Sequence, residues 1–85
     1  MTAQAIEQKV KELISAKFSI DLATITGETR LAEDLRVDSF GAVELMFEIE
    51  EAFDLRIPDS DIEHVCNVND IVAYVVAWKE KHKVD

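Results

Sequence analysis

The residues that could do chemistry are few: a single cysteine, two histidines, and a serine, Ser39, that follows Asp38 where a polar stretch gives way to a helical pattern. A serine at such a junction lies beside backbone N–H groups that have no partner within the helix and at the positive end of its dipole, so a phosphodiester on its oxygen would be favoured there. The plainer role is a cap, in which a side chain at the helix start takes one of those N–H groups. Asp38-Ser39 alone is compatible with both. Cys66, between Val65 and Asn67, is expected to be a partly buried small apolar residue rather than a reactive thiol, and His64 a surface residue. One cysteine cannot close an internal disulfide, and with His64 and His82 it does not reproduce the spacing of a zinc site. The chain also lacks an Asp-x-Asp-x-Asp-Gly loop ending in Glu, which argues against specific calcium binding. No metal and no catalytic residue are predicted.

The elements that must position Ser39 follow from periodicity. Ile6, Val10, Leu13 and Ile14 recur at helical spacing and predict a first helix from Ala3 to about Lys17, with Thr2 as its cap. Between Phe18 and Val37 the pattern breaks into polar residues and Gly27. A loop of about 20 residues is long for a compact domain, so Ile20, Leu22, Ile25, Leu31 and Leu35 are expected to pin it to the core. Phe40 to Phe53 returns to helical period, with Ala42, Leu45, Met46, Ile49 and Phe53 on one face and Glu44, Glu48 and Glu51 along another. Met46 is expected in the core, whereas Phe47 is compatible with either the core or a pocket wall. After Pro58, Ser60 and Glu63 have capping-box spacing and open a short helix to about Val65. Asn67 caps a last helix with Val68, Ile71, Val72, Val75 and Val76 inward and Lys79, Lys81 and Lys83 towards the negative end of its dipole. The expected fold is therefore all-α: four helices, the third short, with a long loop between the first two.

Composition narrows the function. At 85 residues the chain is read as one domain, residues 1–85, too small for a core plus an enclosed multi-residue catalytic cleft. No apolar run approaches the roughly 20 residues of a membrane span, and no leader is apparent in the first residues, so no membrane insertion and a cytoplasmic setting are expected. The net charge of −9 is uneven: residues 37–70 hold ten acids against Arg56 alone, while the flanking segments nearly balance. That field repels nucleic acid and attracts proteins presenting Lys and Arg patches. A solvated acidic surface that only keeps a small protein soluble is the alternative.

The segment Leu35 to Tyr74 resembles the acyl carrier proteins. It carries Asp38-Ser39-Phe40 where that family has Asp-Ser-Leu, then Val43-Glu44-Leu45, Glu50-Glu51-Ala52-Phe53-Asp54, Ile57-Pro58-Asp59, and Val68 followed by Ile71, Val72 and Tyr74. The resemblance implies that a phosphopantetheinyl transferase attaches a 4'-phosphopantetheine arm from coenzyme A to Ser39, with Asp38 helping the transferase engage. It implies a monomeric carrier without enzymatic activity of its own, presenting acyl thioesters to fatty-acid, lipid or polyketide-type enzymes. Glu44, Glu48, Glu50 and Glu51 would then bind basic patches on acyl synthases, acyltransferases and ligases; Glu48 stands where the family more often has a small neutral residue.

Departures from the family pattern bear on which carrier this is. Arg36-Val37 replaces a Gly-Ala pair, Phe40 replaces Leu, and Gly41 replaces an acid in the first turn, at a propensity cost of about 1 kcal/mol against Ala. Residues 38–45 are also similar to D-alanyl carrier proteins, but the segment after Phe53 lacks the tryptophan-containing loop of that group, which favours acyl cargo. An unmodified acidic adaptor remains the reading from a different class.

Overall fold

The computed structural model describes residues 2–82. Among them lie four helices: α1 (Ala3–Phe18), α2 (Ser39–Phe53), α3 (Asp59–Ile62) and α4 (Val68–Lys81). Lys83, assigned above to the dipole of the last helix, lies outside the described residues. Each long helix starts on a side-chain cap. Thr2 accepts from the Ala5 N–H at 3.1 Å, Asp38 from Gly41, and Asn67 from Asp70, whose carboxylate in turn accepts from the Asn67 N–H. α1 and α2 both end on a residue in the left-handed region, Ser19 (φ 55°) and Asp54 (φ 54°), whose N–H groups reach back to the Ser15 and Glu50 carbonyls. Lys79 of α4 donates to the Phe53 carbonyl, bringing a cation to the negative end of α2.

The third helix departs from expectation. It begins at Asp59, because Pro58, with φ −60° and ψ 149°, is already its cap and its carbonyl accepts from Asp61 and Ile62 at 2.9 and 3.2 Å. Ser60 thus falls inside the first turn, and the Ser60–Glu63 capping box does not form. The regular helix stops at Ile62; His64 and Val65 continue only through bonds of three-residue span to the Asp61 and Ile62 carbonyls, before the backbone extends at Asn67.

The core is built from Ile6, Val10 and Ile14 of α1, Leu45, Met46, Ile49 and Phe53 of α2, and Val68, Ile71 and Val75 of α4. α1 packs chiefly on α4 and then on α2. Val72 and Val76 are half-buried at the edge of the α4 stripe. The loop between α1 and α2 contains a single turn of 3-10 helix, Leu22–Thr24, capped by Asp21. The chain extends at Ile25, and there it enters the core; Leu31 and Val37 are buried too, Ile20 and Leu35 half-buried. Leu22, expected among these anchors, stays on the exposed side of its turn. Burying such an aliphatic side chain contributes about 1.5–3 kcal/mol, so three of them outweigh the closure cost of a loop this long.

Two consequences follow for stability. Arg36 adopts φ 59° in the turn that leads into α2. That conformation costs an L-residue about 1–2 kcal/mol, and it accounts for glycine being the usual residue at this point of the family pattern. Arg36→Gly is expected to stabilise the fold by about 0.5–1 kcal/mol, read from the denaturant midpoint.

The second concerns Tyr74, whose hydroxyl donates to Asp61 at 2.8 Å and fastens α3 to α4. Burial first, then the bond to Asp61, push its pKa up to about 12 from an ordinary value of 10.0. The unfolded chain releases this proton near the ordinary value while the folded chain still holds it. Stability contributed below that point is therefore lost as the pH rises towards 12. Tyr74→Phe should flatten this alkaline decline in denaturant titrations, at a cost of about 1 kcal/mol at neutral pH.

Candidate functional site

Ser39 is the first residue of α2, and the cap before it is Asp38. The division is clear in the hydrogen bonds: the Asp38 carboxylate accepts from the Gly41 N–H at 2.7 Å and its carbonyl accepts from Ala42 at 2.9 Å. Capping, the plainer role open to Ser39 on sequence alone, is thus taken by its neighbour. The Ser39 side chain is exposed, leaving its hydroxyl available for substitution. Gly41 has a local reason as well. A Cβ there would lie 3.2 Å from both Asp38 Oδ1 and Val37 Cγ1 and 3.4 Å from the Phe18 ring, so its absence lets the end of α1 close on the start of α2.

The loop positions this start from the other side. Leu31 donates to the Cys66 carbonyl at 3.0 Å, and the Thr29 and Gly27 carbonyls accept from Val68 and Asn69 at 3.1 and 2.8 Å. Val37 then donates back to Leu31 at 2.9 Å, turning the chain into α2. Within the turn the Arg30 N–H and guanidinium both bond Asp34, which holds that carboxyl below its usual range. Ser39 consequently lies on an open groove of about 260 Å³, walled by Leu31, Ala32, Glu33, Val37, Asp38, Ala42, Val65 and Cys66. Cys66 is exposed on this groove, not partly buried as its neighbours in sequence suggested, because its backbone is spent on the Leu31 bond and on capping by Asp70, which turns the side chain outward.

A phosphodiester fits these residues. The oxygen is exposed, the start of a helix of 15 residues favours an anion, and the groove offers an apolar wall for a flexible arm. Such an arm supplies a terminal thiol on which an acyl group is held as a thioester. What the structure shows at this point is an exposed serine held at the first position of α2.

The four glutamates assigned to partner binding are not equivalent. Glu44 and Glu48 both pair with Lys17 of α1, at 3.5 and 2.9 Å. The hydrogen bond to Glu48 foremost, with the field of Glu44, raises the lysine's pKa. The Glu50 carboxylate accepts from the Ile57 N–H at 2.7 Å and so closes the turn after α2. Glu51 is exposed, with no cation paired to it among the described residues. Phe40, Glu44, Phe47 and Glu51, at steps of four, three and four, form one exposed stripe along α2, with the two rings 72% and 56% exposed. Phe47 therefore faces solvent, while Met46 is in the core as expected. Lys17 was not foreseen as part of this surface; its sequence position gives only its place in the last turn of α1. Among the described residues no three His, Cys, Asp or Glu side chains come together as metal ligands.

Comparison with known proteins agrees with this geometry. The family described as "Phosphopantetheine attachment site" matches residues 8–75. The acyl carrier protein of Aster yellows witches'-broom phytoplasma is 43% identical over 70 residues, covering 82% of this chain and 92% of its own length. That of Rubrobacter xylanophilus is 40% identical over 76 residues, covering 89% and 94%. The structure of the acyl carrier protein from Enterococcus faecalis superimposes with a TM-score of 0.78 at 33% identity, covering 92% of this chain and 99% of that one. A capped helix start bearing an exposed serine, an acidic second helix and these relatives lead to one conclusion: the chain belongs to the acyl carrier proteins, which carry their cargo on phosphopantetheine.

Proposed function

We propose that Ser39 is the attachment point of the 4'-phosphopantetheine arm and that residues 1–85 act as one monomeric carrier domain in the cytoplasm. The observation that carries the assignment is the exposed Ser39 hydroxyl at the first position of α2, with Asp38 doing the capping. The chain supplies a rigid anchor and a recognition surface; bond-making and bond-breaking on the cargo belong to its partners. The cargo is acyl rather than D-alanyl, in keeping with the names of the relatives and with the segment after Phe53. Partners of this chain are the phosphopantetheinyl transferase and the acyl synthases, acyltransferases or ligases of fatty-acid, lipid or polyketide-type synthesis. They meet the outer side of α2 with Lys and Arg, for which Glu44 and Glu51 of the exposed stripe and the adjoining Glu48 are the acceptors; Glu50 adds to the field while bracing the Ile57 turn.

Incubation with coenzyme A and a broadly active phosphopantetheinyl transferase should raise the intact mass by one phosphopantetheine, and Ser39→Ala should abolish the shift with an unchanged melting curve. An unshifted wild-type chain would favour an unmodified adaptor instead. Loading of the arm by an acyl synthetase but not by a D-alanine ligase is the corresponding result for the cargo.

Asp38 has two separable roles, and two variants distinguish them. Asp38→Asn keeps a capping oxygen and should retain stability, yet slow the transferase if the charge is what the enzyme engages. Asp38→Ala should lose about 1 kcal/mol from the cap in addition. Equal modification rates for Asp38→Asn and wild type would reduce Asp38 to a cap.

A further inference from the structure

Two of the acids offered to basic partners already hold a cation. Lys17 Nζ lies 2.9 Å from Glu48 and 3.5 Å from Glu44, reaching from the last turn of α1 across to α2. All three side chains remain accessible, the lysine 18% exposed and the glutamates 40% and 47%, so the contact can be broken without unpacking the core. The same ammonium lies 5.8 Å from the centre of the Phe18 ring, and that second attraction keeps it beside the two carboxylates. Further along the same stripe, Glu51 has no such counter-ion among the described residues.

We propose that Lys17 is an internal competitor for the docking surface: it occupies Glu44 and Glu48 as a partner's cation would, and a basic protein must displace it to dock there. This rests on the reading of α2 as the partner-binding helix. An arginine displaces it more readily than a lysine, because a planar guanidinium can bond both oxygens of a carboxylate, whereas the incoming ammonium only repeats what Lys17 supplies. The surface therefore discriminates. Partners whose arginines reach Glu44 and Glu48 are accepted, and those that rely on lysines are driven towards Glu51. The exposed rings of Phe40 and Phe47 flank Glu44, so the complementary surface carries an arginine between apolar side chains.

The test uses the apo chain and a phosphopantetheinyl transferase, with KM and kcat measured for wild type, Lys17→Met, Lys17→Arg, Glu44→Gln/Glu48→Gln and the triple variant that adds Lys17→Met to the last. Lys17→Met keeps the aliphatic stem and removes the competitor, so KM should fall about threefold with kcat unchanged, the size of one exposed ion pair. Lys17→Arg, which preserves charge and fold, should raise KM. Glu44→Gln/Glu48→Gln should raise KM as well, and adding Lys17→Met to it should change nothing more. If the glutamine variant raises KM but neither Lys17 variant moves it, the acids dock the partner and Lys17 does not compete, which overturns the proposal alone. If the glutamine variant itself leaves KM unchanged, the docking assignment falls and the proposal with it.

Discussion

Three backbone hydrogen bonds, from Leu31 to Cys66, from Val68 to Thr29 and from Asn69 to Gly27, hold the long loop against the junction of α3 and α4. The position of Ser39 depends on them. Beyond the single 3-10 turn at Leu22–Thr24, a connection of this length has no regular structure to satisfy its amides, and the cost of leaving them unpaired inside the molecule would exceed what its few buried side chains return. Pairing with the extended residues before α4 meets that demand, and it requires the junction to be extended, which is why Asn67 has a β-type backbone and the third helix stops early. Thr29, the one buried polar residue among those described, accepts from the Thr26 N–H through its hydroxyl. Once Leu31 is fixed, the Val37 bond back to it sets where α2 begins, and the groove beside Ser39 is the space left between loop, helix and junction.

The acidity of the middle of the chain has to be reconciled with this packing. Carboxylates close together on one helix repel, and a fold that gathers them needs compensation of limited strength if the surface is to remain useful to partners. The molecule compensates selectively. Lys17 answers Glu44 and Glu48, the Ile57 amide answers Glu50, and Lys79 answers the carbonyl end of α2 rather than any acid. Exposed pairs of this sort are weak and salt-sensitive, so they offset the repulsion without locking the carboxylates in place. Tyr74 with Asp61 is the more sheltered contact, and it ties the short third helix to α4 where regular helical bonds are too few to hold it.

Much of this was legible in the residues alone. Apolar spacing located α1, α2 and α4 to within a residue or two, Thr2 and Asn67 announced their caps, and the run from Asp38 to Tyr74 carried the family resemblance. These are local properties, set by helical periodicity and by short side chains that bond their own backbone. The uneven charge likewise required no coordinates. Tertiary structure decided the rest. Which residue caps α2, Asp38 and not Ser39, depends on where the extended backbone of the loop ends, and it ends at Asp38. The Ser60–Glu63 box failed because Pro58 had already started the helix, the exposure of Cys66 followed from backbone bonds to residues far away in the chain, and the pairing of Lys17 with α2 required the register of two helices. Spacing within one element reports that element's own faces; contacts between elements depend on how the chain closes, and no local pattern encodes the register in which Lys17 meets Glu44 and Glu48.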